Sequence, residues 1–271
     1  MWRIPRHLPL QHWEFESAIM VVIKNSDQLK LMRKAGRITG EALAYAHGLV
    51  KEGISTKYLD GRIRAFIEKQ GAKPSFLGYG GFPGSACISV NEEVIHGIPS
   101  EKRILHEGDI VKIDVGAFFG GYHGDSARTF PVGRVGDEAL RLIEVTKASF
   151  FRGMEKALSG GRIGDIGNAV ENCVKLAGYT VVRSYVGHGI GAELHEDPEV
   201  PNFGTAGRGV RLYPGMTIAI EPMVNAGGHK VRVLDDDWTV VTADGSLSAH
   251  YENTVLLTEN GPESLTDVGD S

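Results

Sequence analysis

The sequence repeats itself at a constant offset of 107 residues, and this repeat restricts the fold more than any other feature. The offset that carries Leu59 onto Ile166 also carries Gly71 onto Gly178, and both segments have apolar residues at helical spacing. A chain with 36 glycines offers many chance glycine matches, but an offset shared across a whole helix is more specific. We therefore predict a duplicated unit, in which two similar halves share one core about a pseudo-twofold axis.

The repeat extends from the helices into a pair of strands that each end in an acid. The segment EGDIVKID ends at Asp114, and at the same offset PGMTIAIE ends at Glu221. Beyond these strands the spacing is longer in the second half, and the motifs HGDS and HYEN place Asp125 and Glu252 two residues after a histidine. The second half therefore contains an insertion between its acids, and four acids are expected near the pseudo-axis.

The predicted elements run as helices, strands, helices and strands, which indicates an α+β fold with antiparallel sheets backed by helices. A single domain is predicted over residues 20–271, with halves at about 37–132 and 144–258. Residues 1–19 lack periodicity, and we interpret them as a poorly ordered or non-native extension, with a short docking arm as the alternative. Thr56 is expected to cap the second helix. The acid-bearing strands are predicted at 109–118, 122–132, 216–224 and 251–258.

Composition excludes several classes of protein. The chain has 271 residues, of which 42% are hydrophobic, so material for a sizeable core is available. A net charge of −5 provides no basic field for DNA or RNA. The two cysteines do not make a disulfide framework, which favours the cytoplasm. No apolar run approaches the roughly 18 residues of a membrane-spanning helix, so no membrane association is expected.

Asp114 and Asp125 flank Gly120–Gly121, which is a strong hairpin signal. A turn at these glycines would place the acids roughly opposite each other on adjacent strands, with side chains about 5 Å apart. Two ionised carboxylates at ~4 Å repel by about 4 kcal/mol at an effective dielectric of ~20. Protonation, an ion pair with Lys112 or Arg128, or a multivalent cation would each relieve this repulsion, and for this pair alone all three stay open.

Glu221 and Glu252 change this balance, because four convergent acids need more positive charge than two basic side chains supply. His188 lies in the segment GHGIG, where small neighbours would let its ring approach a crowded centre. Four carboxylates and one imidazole suit a pair of divalent ions such as Mn, Fe(II) or Co. Taken alone, GHGIG is more simply explained as a histidine in a glycine turn.

Five motifs together resemble those of the type I methionine aminopeptidases: CISVNEEVIHGIPS, VKIDVGAFFGGYHGDSARTF, GHGIGAELHEDPEVPNF, GMTIAIEPM and HYENTVLLT. The resemblance covers nearly all of residues 20–258 and implies the pita-bread metallopeptidase fold. The stretch from His188 to Glu221 is too short for the helical insertion expected of type II. The resemblance implies two divalent metal ions held by five residues, namely Asp114, Asp125, His188, Glu221 and Glu252.

The resemblance also implies how these ligands divide between the ions. Asp114 would bind one ion, His188 and Glu221 would bind the other, and Asp125 and Glu252 would bridge both. A water or hydroxide between the ions is the expected nucleophile, because two close cations lower the pKa of bound water.

Three residues are expected, by the same resemblance, to act on the substrate. Glu221 resembles the proton shuttle, and His96 resembles a histidine that contacts the amine end or leaving nitrogen of the substrate. His195 resembles one that stabilises the scissile carbonyl as charge develops. Taken alone, His96 would be interpreted as a surface histidine and His195 as a helix-cap or loop residue.

An apolar pocket for a thioether side chain is predicted from three aromatic residues and one sulfur-containing residue: Tyr79, Phe82, Cys87 and Trp238. Each of them is individually as typical of a protein core. The chain departs from the pattern of many bacterial members at Phe76, Phe82 and Leu194. Many of those members have a cysteine at the first position, a tyrosine at the second and an aromatic residue at the third. The first departure therefore bears on thiol chemistry at the pocket mouth, and the other two bear on pocket width.

The expected activity is removal of the initiator methionine from nascent proteins, with a preference for a small second residue. An Xaa-Pro type aminopeptidase of the same fold is the alternative within this class, although such enzymes usually carry a large N-terminal domain. A pita-bread protein that binds protein or ribosomal RNA without catalysis is the alternative outside it, but such a protein should lack the metal ligands. Ribosome association is left open, and a monomer is expected.

Overall fold

The structure is a computed structural model that describes residues 20–269. The extension predicted at residues 1–19 lies outside the described residues. The helices of the described part are α1 Ser26–His47, α2 Thr56–Lys69, α3 Asp137–Met154 and α4 Ile163–Leu176. Within residues 20–269, every helix is too short or too polar to span a bilayer.

Local sequence explains where the helices of the first half begin. Asn25 caps α1 through a capping box, in which its side chain and that of Gln28 each accept a backbone hydrogen bond from the other residue. The cap of α2 is Ser55, so the prediction that Thr56 caps this helix is wrong by one residue. Thr56 is the first helical residue, and its hydroxyl donates to the carbonyl of Ser100.

Strands fill much of the remaining chain, and their bounds in chain order are β1 Lys73–Pro74, β2 Ala86–Val90, β3 Glu93–Ile95, β4 Ile110–Phe119, β5 Tyr122–Pro131, β6 Thr180–Val181, β7 Gly187–Gly189, β8 Glu196–Val200, β9 Thr217–Ile220, β10 Met223–Asn225, β11 Val231–Val233, β12 Val240–Thr242, β13 Ser248–His250, β14 Asn253–Thr258 and β15 Gly261–Ser264. In the first half, β4 pairs with β1, β2 and β5; the main sheet of the second half has the order β15-β14-β9-β7-β8. Smaller sheets have the orders β13-β10-β6 and β11-β12-β3. The pairings among these strands are antiparallel.

The duplication is visible in the bounds of the elements. At the offset found in the sequence, α2 maps onto 163–176, which are the bounds of α4. The last residues of α1 and α3, His47 and Met154, are related by the same offset, as are the first residues of β4 and β9, Ile110 and Thr217. The predicted α+β class, with antiparallel sheets backed by helices, is confirmed.

Each half buries an apolar layer between its helices and its sheet. Ile63 of α2 and Ile113 of β4 belong to one buried cluster, and Ile166 of α4 and Ile218 of β9 belong to another. Each of these side chains is at most 1% exposed. Full burial of such a side chain contributes about 1.5–3 kcal/mol, so the helical periodicity read from the sequence also determines which helix face packs on the sheet.

The two halves join along a ladder between Asp125–Thr129 of β5 and His250–Thr254, which we call the inter-half seam. Ala127 and Glu252 exchange both backbone hydrogen bonds across it. Threonine hydroxyls on either side of this pair complete the ladder. Because directly paired residues share a strand face, the seam brings acids of both halves to the same side.

The acid-bearing strands are continuous in the first half and interrupted in the second. β4 and β5 each run for ten residues through their acids. The single strand predicted at 216–224 is wrong, because it breaks at Glu221–Pro222 between β9 and β10. Proline has no N–H for a ladder, which explains this break. The strand predicted at 251–258 begins two residues later, after β13 has ended at His250.

Candidate metal centre

Asp114 and Asp125 lie on one face of the β4–β5 hairpin but are not directly opposite each other. Asp114 pairs with Ala127, and Asp125 pairs with Gly116. The two acids are therefore two residues away from the directly opposed arrangement that was expected, and they are diagonal neighbours on the same face. Diagonal neighbours in an antiparallel pair remain within reach of each other's side chains.

A row of paired residues crosses the first sheet and continues into the second half. Cys87 pairs with Asp114, Asp114 pairs with Ala127, and Ala127 pairs with Glu252 across the seam. Acids from both halves therefore flank the small side chain of Ala127. Asp114, Asp125 and Glu252 therefore lie on the same face of the strands as this methyl group.

Glu221 and His188 reach the cluster from the main sheet of the second half. Glu221 directly follows β9, and His188 is the middle residue of β7, which pairs with β9. Nε2 of His188 lies 3.5 Å from Oε1 of Glu221 and 4.0 Å from Oδ2 of Asp125. Nδ1 lies 2.8 Å from the carbonyl oxygen of Gly189. Because a carbonyl only accepts hydrogen bonds, Nδ1 carries the proton and the lone pair of Nε2 faces the acids, as a metal ligand requires.

The glycines on either side of His188 allow its strand to pack between two others. A Cβ on Gly187 would overlap the carbonyl oxygen of Ala219, and a Cβ on Gly189 would overlap that of Asp197. Strand β7 lies between β8 and β9, and only glycine permits this close backbone approach. The small residues of GHGIG thus have a packing role that their sequence alone did not reveal.

Two groups of ligand atoms lie close enough to share a metal ion within the described residues. One group is Asp125, His188 and Glu252, and the other is Asp114, His250 and Glu252; the atoms of each group lie within 4.8 Å of one another. Oδ1 of Asp114, Oδ1 of Asp125 and Oε1 of Glu252 are buried, with no hydrogen-bond partner in residues 20–269. Buried carboxylate oxygens without partners are costly, and a divalent cation fits such a set of donors.

Burial and mutual repulsion favour the neutral form of these carboxyl groups when no cation is bound. Burial raises the pKa of Asp114 to about 7. Burial, and then the charge of Asp114, raises the pKa of Asp125 and of Glu221 well above the usual range. Burial, followed by the charge of Asp125, does the same for Glu252. A bound cation would reverse this balance, so metal binding and deprotonation are coupled.

The basic side chains proposed as alternative partners point elsewhere. The Lys112 ammonium donates to the carbonyl oxygens of Asn91 and Ser248, at 2.6 and 3.0 Å, and makes no ion pair with Asp114 in the described structure. The Arg128 guanidinium donates to the main-chain carbonyl of Glu252 at 2.6 Å. The ion-pair alternative is therefore wrong for Lys112, and Arg128 binds the backbone of the seam.

A cleft of about 360 Å³ opens beside the cluster, and its lining includes His96, His188, His195 and Glu221. The ring centroids of His188 and His195 are 4.2 Å apart, and Nδ1 of His195 lies 2.8 Å from the hydroxyl of Tyr79. His96 has a φ of 59°, an unusual backbone conformation for a residue with a side chain. The structure thus places both histidines at the cleft, and neither caps a helix.

The residues predicted to form the thioether pocket belong to a single apolar cluster: Tyr79, Phe82, Cys87 and Trp238. The rings of Phe82 and Trp238 meet edge to face with centroids 5.2 Å apart. Cys87 is buried and pairs with Asp114, so this apolar cluster adjoins the acid cluster. Phe76 and Leu194, where the chain departs from the bacterial pattern, are buried in the same cluster.

His250 belongs to a group of metal-ligand atoms but was not predicted as a ligand. Its signal in the sequence was the motif HYEN, which places a histidine two residues before Glu252. Residues at i and i+2 share a face only where a strand is regular, and the chain is not in a strand at Glu252, so the motif alone did not identify His250 as a ligand.

A duplicated α+β fold with buried carboxylates and an imidazole at its pseudo-axis defines a metal-dependent hydrolase of the pita-bread class. Residues 30–259 match metallopeptidase family M24, and the chain belongs to this family.

Curated relatives and solved structures agree with this assignment. A methionine aminopeptidase from Clostridium acetobutylicum is 57% identical over 247 residues, which cover 91% of this chain and 99% of the relative. The crystal structure of a methionine aminopeptidase from Thermotoga maritima is similar with a TM-score of 0.90 at 43% identity, covering 92% of this chain and 100% of that one. A prolidase from Pyrococcus furiosus has a TM-score of 0.74 at 26% identity, and the match covers 92% of this chain but 66% of the prolidase.

Proposed function

We propose that this metallopeptidase removes the N-terminal methionine from nascent proteins and prefers a small second residue. The observation that best supports this function is the position of the apolar cluster that contains Phe82, Cys87 and Trp238, which lies beside the acid cluster. Cys87 of the pocket and Asp114 of the cluster are paired residues on neighbouring strands. A side chain in the pocket would therefore present its own main chain to the candidate metal ligands. The 57% identity to a methionine aminopeptidase supports the same activity.

The proposed cofactor is a pair of divalent cations of the Mn, Fe(II) or Co type. When bound, such ions polarise the scissile carbonyl and promote ionisation of water. The proposed ligands are Asp114, Asp125, His188, Glu221 and Glu252, of which Glu252 contributes to both groups of ligand atoms.

Two side chains of the cleft are suited to proton transfer and charge stabilisation. Glu221 lines the cleft beside the other candidate ligands, a position that suits a carboxylate that takes a proton and returns it to the leaving amine. Burial lowers the pKa of His195, so its ring is neutral. If the Tyr79 hydroxyl donates to Nδ1, the ring proton is on Nε2, where it can bind a carbonyl oxygen that gains negative charge. His96 is the proposed contact for the amine end of the substrate.

The pocket cluster matches the chemistry of a methionine side chain. Thioether sulfur makes favourable contacts with aromatic ring edges, and Tyr79, Phe82 and Trp238 supply such rings. Because Phe82 and Trp238 already contact each other, the pocket is narrow at that side. We propose that this narrowness selects an unbranched side chain.

Release of methionine from a Met-Ala-Ser peptide tests the proposed activity. Protein loaded with Mn(II) or Co(II) should release methionine, and the chelated protein should not. Glu221→Gln should abolish release, whereas Glu199→Gln, which removes an exposed acid from the same cleft, should retain it. Failure to release methionine with any of the divalent ions would refute the proposal.

A dipeptide panel separates this function from that of an Xaa-Pro peptidase, which the similarity to a prolidase keeps as the second candidate. The proposed enzyme should cleave a Met-Ala substrate and leave Met-Pro and Gly-Pro intact. Preferential cleavage of Gly-Pro would support the second candidate. A binding protein without catalysis would cleave none of these peptides.

We further propose the cytoplasm as the site of action, because initiator methionine is exposed there during synthesis and both cysteines of the chain are free thiols. A monomeric state and association with the ribosome stay predictions. Sedimentation of the protein alone and with ribosomes would test both.

A further inference from the structure

We propose that His250 is a second imidazole ligand of the metal centre and binds the ion on the Asp114 side. The five residues implied by the family resemblance give that ion only oxygen ligands, because His188 binds the other ion. The inference rests on the proposed pair of metal ions, and it concerns which atoms of this chain hold them.

The position of the His250 ring is the first observation. Nε2 lies 3.8 Å from Oε2 of Glu221 and 3.8 Å from Oε2 of Glu252. Together with Asp114 and Glu252, His250 forms a group of potential ligand atoms that lie within 4.8 Å of one another. Both separations from Nε2 are too long for a hydrogen bond. Two ligand atoms that are each about 2.1 Å from a shared ion can be separated by up to about 4.2 Å, so this spacing fits coordination.

The unpaired state of the ring is the second observation. His250 is 2% exposed, and neither Nδ1 nor Nε2 has a hydrogen-bond partner within residues 20–269. A buried polar group without a partner costs about 1–3 kcal/mol, so a purely structural histidine at this position would be destabilising. A cation between the ring and the carboxylates would satisfy Nε2 and the unpaired oxygens of Asp114 and Glu252 together.

The backbone of His250 holds the ring in this position. Its N–H donates to the Thr129 hydroxyl at 2.8 Å, and the same hydroxyl donates to its carbonyl at 2.9 Å. His250 is also paired with Met223 of β10. A ligand whose main chain is fixed on both sides needs little reorganisation to bind a metal ion.

The equivalent histidine of the first half provides a comparison within the molecule. His123 also lies two residues before an acid, Asp125, but on the unbroken strand β5. Its Nδ1 lies 2.9 Å from the Ser75 hydroxyl, and its ring packs against Phe118 with centroids 4.5 Å apart. His123 is therefore accommodated by other side chains, whereas His250 is directed at the acids.

X-ray absorption at the cobalt edge of protein loaded with two Co(II) ions tests the assignment by counting imidazoles. With both His188 and His250 bound, the average is about one imidazole per ion; with His188 alone it is about half. The wild-type protein should give the higher value, and His250→Gln should give the lower one. Calorimetry should show that His250→Gln raises the dissociation constant of one ion at least tenfold and leaves the other within about threefold.

His123→Gln is the matched control, and it should change neither the imidazole count nor either dissociation constant. Circular dichroism of the metal-free variants would show whether they fold, and the count in the wild-type protein tests the proposal even if a variant does not. A wild-type count of about half an imidazole per ion would overturn it. The proposal would also be overturned if His250→Gln lost peptidase activity while its imidazole count stayed the same as in the wild-type protein, because His250 would then only position Glu221. These readouts need no turnover, so a failure of the proposed peptidase activity is measured separately with Met-Ala-Ser.

Discussion

The two halves of the molecule supply two acids each, but they do so with different backbones. In the first half, Asp114 and Asp125 lie inside unbroken ten-residue strands, and the strand register fixes their relative position. In the second half, the acids lie between strands: Glu221 lies between β9 and β10, and Glu252 lies between β13 and β14. A continuous hairpin places carboxylates at fixed steps along a face, whereas the gaps let neighbouring side chains turn toward one point.

The insertion in the second half explains a further difference between the halves. It carries strands β11 and β12, and β12 pairs with β3 of the first half. Trp238 lies just before β12 and contacts Phe82 of the first half. The first half thus provides most of the residues of the proposed pocket, and the second half contributes one aromatic residue through its insertion. The repeat thus accounts for the four candidate acids, and the insertion adds Trp238 to the proposed pocket.

The largest expected effect comes from an acid of the seam that serves both halves. Glu252→Gln removes a carboxylate that belongs to both groups of ligand atoms, so both ions should be lost and turnover should fall at least ~10³-fold. Asp114→Asn leaves the group of Asp125, His188 and Glu252 intact, so one ion should remain and turnover should fall only about 10- to 100-fold. Elemental analysis and methionine release from Met-Ala-Ser measure these outcomes.

Glu259→Gln is the control for this comparison, because it neutralises an exposed acid just after β14 and should affect neither metal content nor turnover. Equal losses in Glu252→Gln and Asp114→Asn would show that the two groups of ligand atoms do not bind independently. The claim that Glu252 serves both ions, whereas Asp114 serves one, would then be incorrect.

The second expected effect tests the space between the halves. Ala127 separates Asp114 from Glu252 in the row of paired residues, and its side chain is fully buried. Ala127→Leu would place a larger side chain on the face that carries the carboxylates, without changing any proposed ligand. We expect metal content to fall below one ion per chain and turnover to fall about 10²-fold, with a loss of about 1–3 kcal/mol in unfolding free energy from overpacking.

Ala127→Ser is the matched variant, since it adds a single atom and should keep both ions. Urea unfolding in the presence of chelator gives the stability change separately from the metal content. Normal metal binding by Ala127→Leu would contradict the proposed position of the ions beside this residue.

The strength of the repeat determined how much of the fold was predictable. Helices α2 and α4 have identical bounds at the offset, because the same apolar spacing packs each of them on its sheet. The break at Glu221–Pro222 was missed because the strongly apolar run around it gave a strand pattern whose only turn signal was the proline, and β13, which ends at His250, was not predicted. Whether a proline ends a strand or lies at its edge depends on the neighbouring strands, which the sequence does not show.

The candidate site was predictable to a different degree in each half. Spacing around Gly120–Gly121 identified Asp114 and Asp125 as neighbours, although the observed register makes them diagonal neighbours and not a directly opposed pair. Glu221 and Glu252 were found through the repeat and the family motifs. His250 was missed because its role depends on a gap between strands and on unpaired ring nitrogens, which appear only in three dimensions.

The third expected effect is the pH dependence of metal binding, which distinguishes an acid of the first half from its neighbours. Burial raises the pKa of Asp114 from 3.8 to about 7, and the carboxyl must lose its proton to bind a cation. The contribution of Asp114 to the affinity should therefore approach its full value above pH 7 and be lost as the pH falls through 7, by about tenfold per unit. Mn(II) titrations at pH 6 and pH 7.5 measure the change. Asp114→Asn should show a shallower dependence, and an unchanged slope would assign the proton to another acid of the cluster.

The smallest expected effect concerns two threonines that hold the seam from opposite halves. The Thr129 hydroxyl bonds the N–H and carbonyl of His250, and the Thr254 hydroxyl bonds the N–H and carbonyl of Asp125. Valine has nearly the same shape but leaves these buried backbone groups unpaired, so each substitution should lower the unfolding free energy by about 1–3 kcal/mol. Thr258→Val, in a partly exposed surface hairpin, should cost less.

The two substitutions also separate the roles of the halves at the metal centre. Thr129→Val removes the hydrogen bonds that hold the main chain of His250. It should therefore weaken the binding of the Co(II) ion on the Asp114 side more than the binding of the other ion. Thr254→Val loosens Asp125, whose carboxylate lies in the other group of ligand atoms, so it should weaken the ion held with His188. Calorimetric titration of each variant measures both dissociation constants. If both variants weakened the same ion, the two ligand groups would not be divided along the seam, and the assignment of His250 to the Asp114 side would have to be reversed.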